Sequence, residues 1–268
     1  MEYKAAVFDI DGTLLPRGGR RVPHKTVKAI NRLKKTGVKI IIATGRGPVR
    51  TSSDVLGRLK YDYIVCVNGA CVLNKDREVF FQNSFSRESL DKLLATSERL
   101  GVQLKLIYLD GYYIFYENKR KKLIYREYEP YKIAFEMEGF REKSAPERND
   151  GELPLGGFVV SSERVIGEFS RLAADLRFIP FSESGFDICK IETDKVNSLD
   201  LVLKALGVSW DQTVVMGDGK NDEEMIRRAG LGVAMANSSD ELKAVADIVA
   251  PDCRDFGVCS AINDIFKL

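Results

Sequence analysis

The chain carries one histidine, His24, among 268 residues. That excludes every mechanism needing a second imidazole, the HExxH zinc site among them. Cysteine is scarce as well: Cys66, Cys71, Cys189, Cys253 and Cys259 are odd in number and include no CxxC pair. A disulfide framework or zinc ribbon does not fit that usage; small buried thiols in a reducing compartment do. Long apolar runs are missing. The longest, 38–43, is strand-sized and interrupted by Lys39, far short of the roughly 20 residues a membrane span needs. No signal peptide is read at the start, so the expectation is a cytoplasmic protein with no membrane contact, in which the sequon Asn237-Ser238-Ser239 carries no weight. Charge of one sign is not in excess either. With 41 Lys+Arg against 39 Asp+Glu the net charge is +2, and the two signs nearly balance within 83–185 too. That balance argues against a polyanion-binding surface. The run Lys119-Arg120-Lys121-Lys122, near Tyr116, Tyr125 and Tyr128, is the one stretch open to a nucleic-acid reading. Glu117, Glu127 and Glu129 break it, so a solvated helix face is expected and no nucleic-acid partner.

What is there suits a globular chain. Hydrophobic residues make up 44% and charged residues 30%, which excludes long disorder. At this length a core forms without disulfide or metal staples, in one large domain or two unequal ones. Residues 3–9 form a short apolar run ending in Asp9, the mark of a buried strand. Val27, Ile30 and Leu33 make a helical stripe over 26–35 that Gly37 ends. A second strand follows at 38–44, a helix at 48–59 and a third strand at 63–67. The alternation continues from 198, with helices at 198–206, 222–228, 242–246 and 258–266 and strands at 213–216, 232–235 and 248–249. Such alternation predicts a doubly wound, Rossmann-like parallel α/β sheet. Between 83 and 185 the rhythm is mixed: helices at 87–100 and 164–176, and strands at 102–108, 112–116, 157–160 and 178–181. Asp110-Gly111 between two strands reads as a hairpin turn. An inserted α+β domain over 83–185 is therefore expected, inside a core of 1–82 and 186–268.

In open parallel sheets ligands bind beyond the carboxyl ends of the strands, and the polar clusters lie there. Asp9-Ile10-Asp11-Gly12-Thr13 sets two carboxylates on a tight turn, an arrangement that a cation or a proton favours. A turn with an Asx cap is its plain alternative. Thr44-Gly45-Arg46 offers a hydroxyl and a flexible backbone for an anion, or simple helix capping. Arg46 itself either reaches a phosphate or pairs with a surface acid. Lys195 stands at a helix start, where a cation opposes the macrodipole, so it answers to a nearby negative charge such as Asp194 or a ligand phosphate, or is merely solvated. Gly217-Asp218-Gly219-Lys220-Asn221-Asp222 clusters two acids on a glycine-rich turn without the alternating ligands of an EF-hand. With Asp9 and Asp11 it suits magnesium with waters and a phosphate. His24, beside Pro23, and Trp210 read as surface and packing residues.

In this order, each at a strand end, the clusters resemble the haloacid dehalogenase superfamily of phosphohydrolases, and most closely its Cof-like branch with a type IIB cap. Asp9-Ile10-Asp11-Gly12-Thr13-Leu14 is similar to the first motif, Ile42-Ala43-Thr44-Gly45-Arg46 to the second, Lys195 to the third and Gly217–Asp222 to the fourth. Asn68-Gly69-Ala70 resembles the tripeptide that ends the third strand in that branch; Val196, where many relatives carry glycine, departs from the pattern. The resemblance covers 3–82 and 186–268 by motif, and the insert by size and position. It implies a magnesium-dependent phosphatase for a small phosphorylated metabolite, sugar phosphates foremost, with a sugar phosphomutase as the alternative enzyme and a non-catalytic regulator as a remote one. By that implication Asp9 is the nucleophile and Asp11 the acid and base. Mg2+ is held by Asp9, the Asp11 carbonyl and Asp218, with Asp222 in support. Thr44, Lys195, Asn221 and backbone amides near Ile10 and Gly45 hold the phosphoryl oxygens, and the cap at 83–185 selects the substrate.

Overall fold

The apolar run Ala5–Phe8 lies at the centre of an eight-stranded sheet in the computed structural model, which describes residues 2–115 and 151–268. On one side of it come Thr213–Gly217, Leu231–Met235 and Ile248–Ala250, on the other Lys39–Ala43 and Tyr63–Cys66, all paired in parallel. Alternation along the strands sorts the core. Ala5, Val7, Ile41, Ala43 and Val215 pack with Leu199, Val202 and Leu203 of the helix Lys195–Leu206 and with Met225 and Ile226 of Glu223–Arg228. Ala6 and Phe8 point the opposite way and are equally buried, so both faces are covered, as a parallel sheet requires. The helices His24–Lys35 and Gly257–Phe266 pack against each other.

The sheet also carries two strands that the sequence pattern does not announce, Cys71–Asn74 and Val79–Gln82. Cys71–Asn74 pairs antiparallel with Tyr63–Cys66, so the parallel rhythm ends there. The helix expected at 48–59 is reduced to a 3-10 turn, Pro48–Thr51, and one helical turn, Ser53–Leu56. Gly57 at φ +66° ends the turn.

The chain divides into two compact units: Met1–Arg46, Thr51–Phe81 and Asp194–Leu268 form one, Gly47–Arg50 and Gln82–Thr193 the other. The second unit is built on a five-stranded antiparallel sheet, in the order Tyr112–Phe115, Leu104–Ile107, Gly156–Val160, Gly185–Lys190, Leu176–Pro180. Its core joins Leu104, Leu106, Val159, Phe186 and Ile188 to Leu90 and Leu93 of the helix Arg87–Leu100 and to Ile166 and Phe169 of Glu163–Leu172. The strand Gly185–Lys190 crosses the expected boundary at 185/186 and lies wholly in this unit. Phe186 and Ile188 are buried in its core on the period of two, and both neighbouring strands pair with it. The helix expected to run to 176 stops at Leu172, because Leu176 begins the next strand. The basic run at 119–122 and Tyr116, Tyr125 and Tyr128 lie outside the described residues. Among the described residues no helix is long and apolar enough to cross a membrane. All five cysteines are free and buried.

Candidate active site

Parallel pairing brings the polar ends of several strands of the first unit to one edge. Ala5–Phe8 delivers Asp9, whose N–H donates to the Met216 carbonyl at 3.0 Å. The chain then turns tightly, with the N–H groups of Thr13 and Leu15 donating to the Ile10 carbonyl at 3.3 and 2.8 Å. Gly12 adopts φ +85°, and a Cβ there would stand 2.0 Å from Asp218 Oδ2. Only glycine lets the first turn approach the fourth cluster so closely.

Lys195 is the buried hinge of the charge network. Its Nζ donates to Asp9 Oδ1 at 2.8 Å and to Asp222 Oδ1 at 2.6 Å. The negative charge it answers to is therefore this pair, and not Asp194, which caps the helix by accepting the Asn197 N–H at 2.6 Å. Asp222 is fully buried, and its second oxygen accepts the N–H groups of Asp218 at 3.0 Å and Gly219 at 2.9 Å. One oxygen thus holds Lys195 and the other shapes the turn that presents Asp218. Burial raises the Asp9 carboxyl well above its ordinary range, with Asp222 adding to the rise and Lys195 opposing it. Burial likewise lifts Asp218 to about 6, with Arg17 opposing. Burial would lower the Lys195 ammonium, but Asp222 and Asp9 together hold it above its ordinary value.

One carboxylate oxygen each from Asp9, Asp218 and Asp222 lie within 4.8 Å of one another. Three buried acids against Lys195 and the exposed Arg17 still leave an excess of negative charge, and the donors are all oxygen. This set fits a hard divalent ion. The Asp11 side chain does not join it. Arg46 grips that carboxylate with both arms, Nε to Oδ2 and Nη2 to Oδ1, each at 2.7 Å. Of the two readings of Arg46, pairing with an acid is the one observed, and the acid is Asp11.

Thr44 is buried, and its hydroxyl accepts the Arg46 N–H at 3.1 Å. Asn221 donates to Asn68 Oδ1 at 2.9 Å, and a Cβ on Gly45 would lie 3.2 Å from that same oxygen. Asn68 therefore ties the second and fourth clusters together. It follows Val67, and both residues have φ +50°. A β-branched residue in that region is strained, as backbone at functional turns often is. Asn68 has a sequence signal in its Asn-Gly-Ala tripeptide. Arg17 and Asn237 have none. Arg17 reaches Asp218 at 3.1 Å, and Asn237 bridges the Gly12 carbonyl at 2.8 Å, the Cys253 N–H at 3.0 Å and Asp218 at 3.4 Å.

Comparison with known proteins agrees with this geometry. A family described as haloacid dehalogenase-like hydrolase matches residues 6–262. The phosphatase YwpJ of Bacillus subtilis is 23% identical over 98% of this chain and 99% of its own length. The phosphoglycolate phosphatase of Archaeoglobus fulgidus is 26% identical over 97% of this chain and 96% of its own. The solved structure of BT4131, a sugar phosphatase of subclass IIB, matches in fold with a TM-score of 0.79 at 24% identity, over 99% of this chain and 100% of that one.

Proposed function

Because this chain belongs to the haloacid dehalogenase-like hydrolases, we propose that it is a divalent-metal-dependent phosphatase that works through an aspartyl-phosphate on Asp9. Asp9 attacks phosphorus through a carboxylate oxygen. As the new O–P bond forms, the bond to the leaving oxygen breaks, and Asp11 delivers a proton to that oxygen. In the second half Asp11 takes a proton from water, the water oxygen bonds to phosphorus, and the acyl-phosphate bond breaks to return Asp9 and inorganic phosphate. Thr44, Lys195, Asn221 and the backbone at Ile10 and Gly45 hold the phosphoryl oxygens during transfer. Magnesium would be held by Asp9, Asp218 and the Asp11 carbonyl, with Asp222 in support. When bound it shields the carboxylate from the phosphate and offsets charge on the transferring group.

The observation that carries this reading is the buried Lys195 ammonium between Asp9 and Asp222, beside Asp218. It opposes the rise that burial gives the Asp9 carboxyl and leaves acidic oxygens for a cation. The substrate is a small phosphorylated metabolite, with sugar phosphates foremost, and the second unit is a cap that selects among them. Relatives named for a sugar phosphate and for phosphoglycolate support the size class. Asp9→Asn tests the core of the proposal. The amide keeps the shape but forms no acyl-phosphate, so phosphate release from p-nitrophenyl phosphate should vanish while circular dichroism stays unchanged. Substantial turnover by the folded variant would remove Asp9 as nucleophile.

A further inference from the structure

Asp11 and Arg46 make a two-bond ion pair between the ends of adjacent strands, Ala5–Phe8 and Lys39–Ala43. The partners are unequal: the Arg46 side chain is 10% exposed and that of Asp11 is 43% exposed. Arg46 is also the anchored one. Its N–H donates to Thr44 Oγ1 at 3.1 Å, and its carbonyl accepts the Val67 N–H at 2.9 Å. An aspartate this exposed, on a turn, would sample several rotamers alone. A planar guanidinium bound side-on allows it one, because both carboxylate oxygens must meet a rigid fork. A carboxylate oxygen can accept more than one hydrogen bond. The fork therefore orients the carboxylate without consuming its capacity to exchange a proton.

We propose that Arg46 is a positioning residue that acts through Asp11, holding its carboxylate in the one orientation from which it reaches the leaving oxygen and then the attacking water. The proposal rests on the phosphatase reading above. Arg46 has no direct part in binding phosphate. Proton transfer by a placed group is worth roughly 10²–10⁴-fold, and misplacement by about 1 Å forfeits a large part of it. The effect of Arg46 should thus appear only where Asp11 is needed.

The experiment is a double-mutant cycle read with two leaving groups. In the full-length protein with magnesium, Arg46→Met, Asp11→Asn and the double variant are assayed on p-nitrophenyl phosphate, whose leaving group needs little protonation, and on phenyl phosphate, whose leaving group needs more. Arg46→Met should lower kcat/KM, which reports transfer to Asp9, by about 10-fold or more on phenyl phosphate and by only a few-fold on p-nitrophenyl phosphate. In the Asp11→Asn background it should add almost nothing. Arg46→Lys keeps a charge but not the fork and should fall between, and added guanidinium ion should restore part of the Arg46→Met loss. The lysine arm decides the matter even if the methionine variant folds poorly. Equal losses on both substrates with a raised KM would mean that Arg46 binds phosphate. A loss that multiplies with that of Asp11→Asn would mean that it acts independently of Asp11. Either result overturns the proposal. Absence of a leaving-group contrast in Asp11→Asn itself would instead strike the acid and base role of Asp11, and additivity in the cycle would still decide Arg46.

Discussion

Asp218 shows how a single side chain reports the job of its surroundings. It is buried beside two other acids, with Arg17 as its ion-pair partner, and its carboxyl is lifted to about 6 from an ordinary 3.8. An acid raised in this way stabilises the metal-free fold fully below about pH 3.8, and that contribution is lost as pH rises through about 6. The difference is about 3 kcal/mol, at roughly 1.4 kcal/mol per pH unit between the two values. Asp218→Asn cannot ionise and loses this dependence. Metal-free wild type should therefore lose Tm relative to Asp218→Asn between about pH 4 and pH 7. Saturating magnesium should return it at the upper end in the wild type and much less in the variant. Superimposable Tm–pH curves for the two metal-free proteins would contradict the assignment.

At the scale of elements, the helix Lys195–Leu206 is positioned by the turn after the third strand. Ser198 Oγ donates to the Gly69 carbonyl at 2.6 Å, and a Cβ on Gly69 would stand 2.0 Å from the Asp194 carbonyl oxygen. Gly69 also has φ +106°. Gly69→Ala should push the helix start, and Lys195 with it, away from Asp9. A strained backbone of this kind costs on the order of 1–3 kcal/mol, and activity should fall although Gly69 holds no atom in the charge network. Thermal unfolding and kcat together check this; an alanine variant with both unchanged would show that the turn does not set the helix. The elements also mark the limit of pattern reading. Residues 26–35, 38–44 and 213–216 follow clean periodicities and become the helix His24–Lys35 and the strands Lys39–Ala43 and Thr213–Gly217. Cys71–Asn74 and Val79–Gln82 are short and flank a charged turn, and Gly185–Lys190 begins on a glycine and carries Asp187 and Lys190 among its apolar residues. They are strands because a neighbour pairs with them, which local sequence does not state.

At the scale of the whole molecule the two units have separate hydrophobic cores and separate sheets. Apart from the short excursion Gly47–Arg50, the chain passes between them at Phe81/Gln82 and at Thr193/Asp194. If the second unit selects substrates and the first performs the chemistry, replacing 82–193 by a short Gly/Ser linker should keep some hydrolysis of p-nitrophenyl phosphate and erase discrimination among sugar phosphates. Folding of the shortened chain is checked first by circular dichroism. A folded chain that still ranks sugar phosphates as the intact protein does would place selection in the first unit.

Much of the site was legible in order and kind. Asp9, Asp11, Thr44, Asp218 and Asp222 stand out because charged or hydroxyl residues follow buried strands, where folding alone gives little reason for them, and Lys195 because a cation stands at a helix start. The sequence by itself determined the class of the fold, since the period of apolar residues is a local property that survives any packing. Partnership was decided by tertiary structure. Lys195 lies 186 positions from Asp9 and pairs with it, Arg46 lies 35 positions from Asp11, and Asn237 lies 225 positions from Gly12. Those pairings depend on strand order and on the direction of single side chains. Pairings of that kind form only when distant segments of chain lie side by side, so no window of sequence contains them.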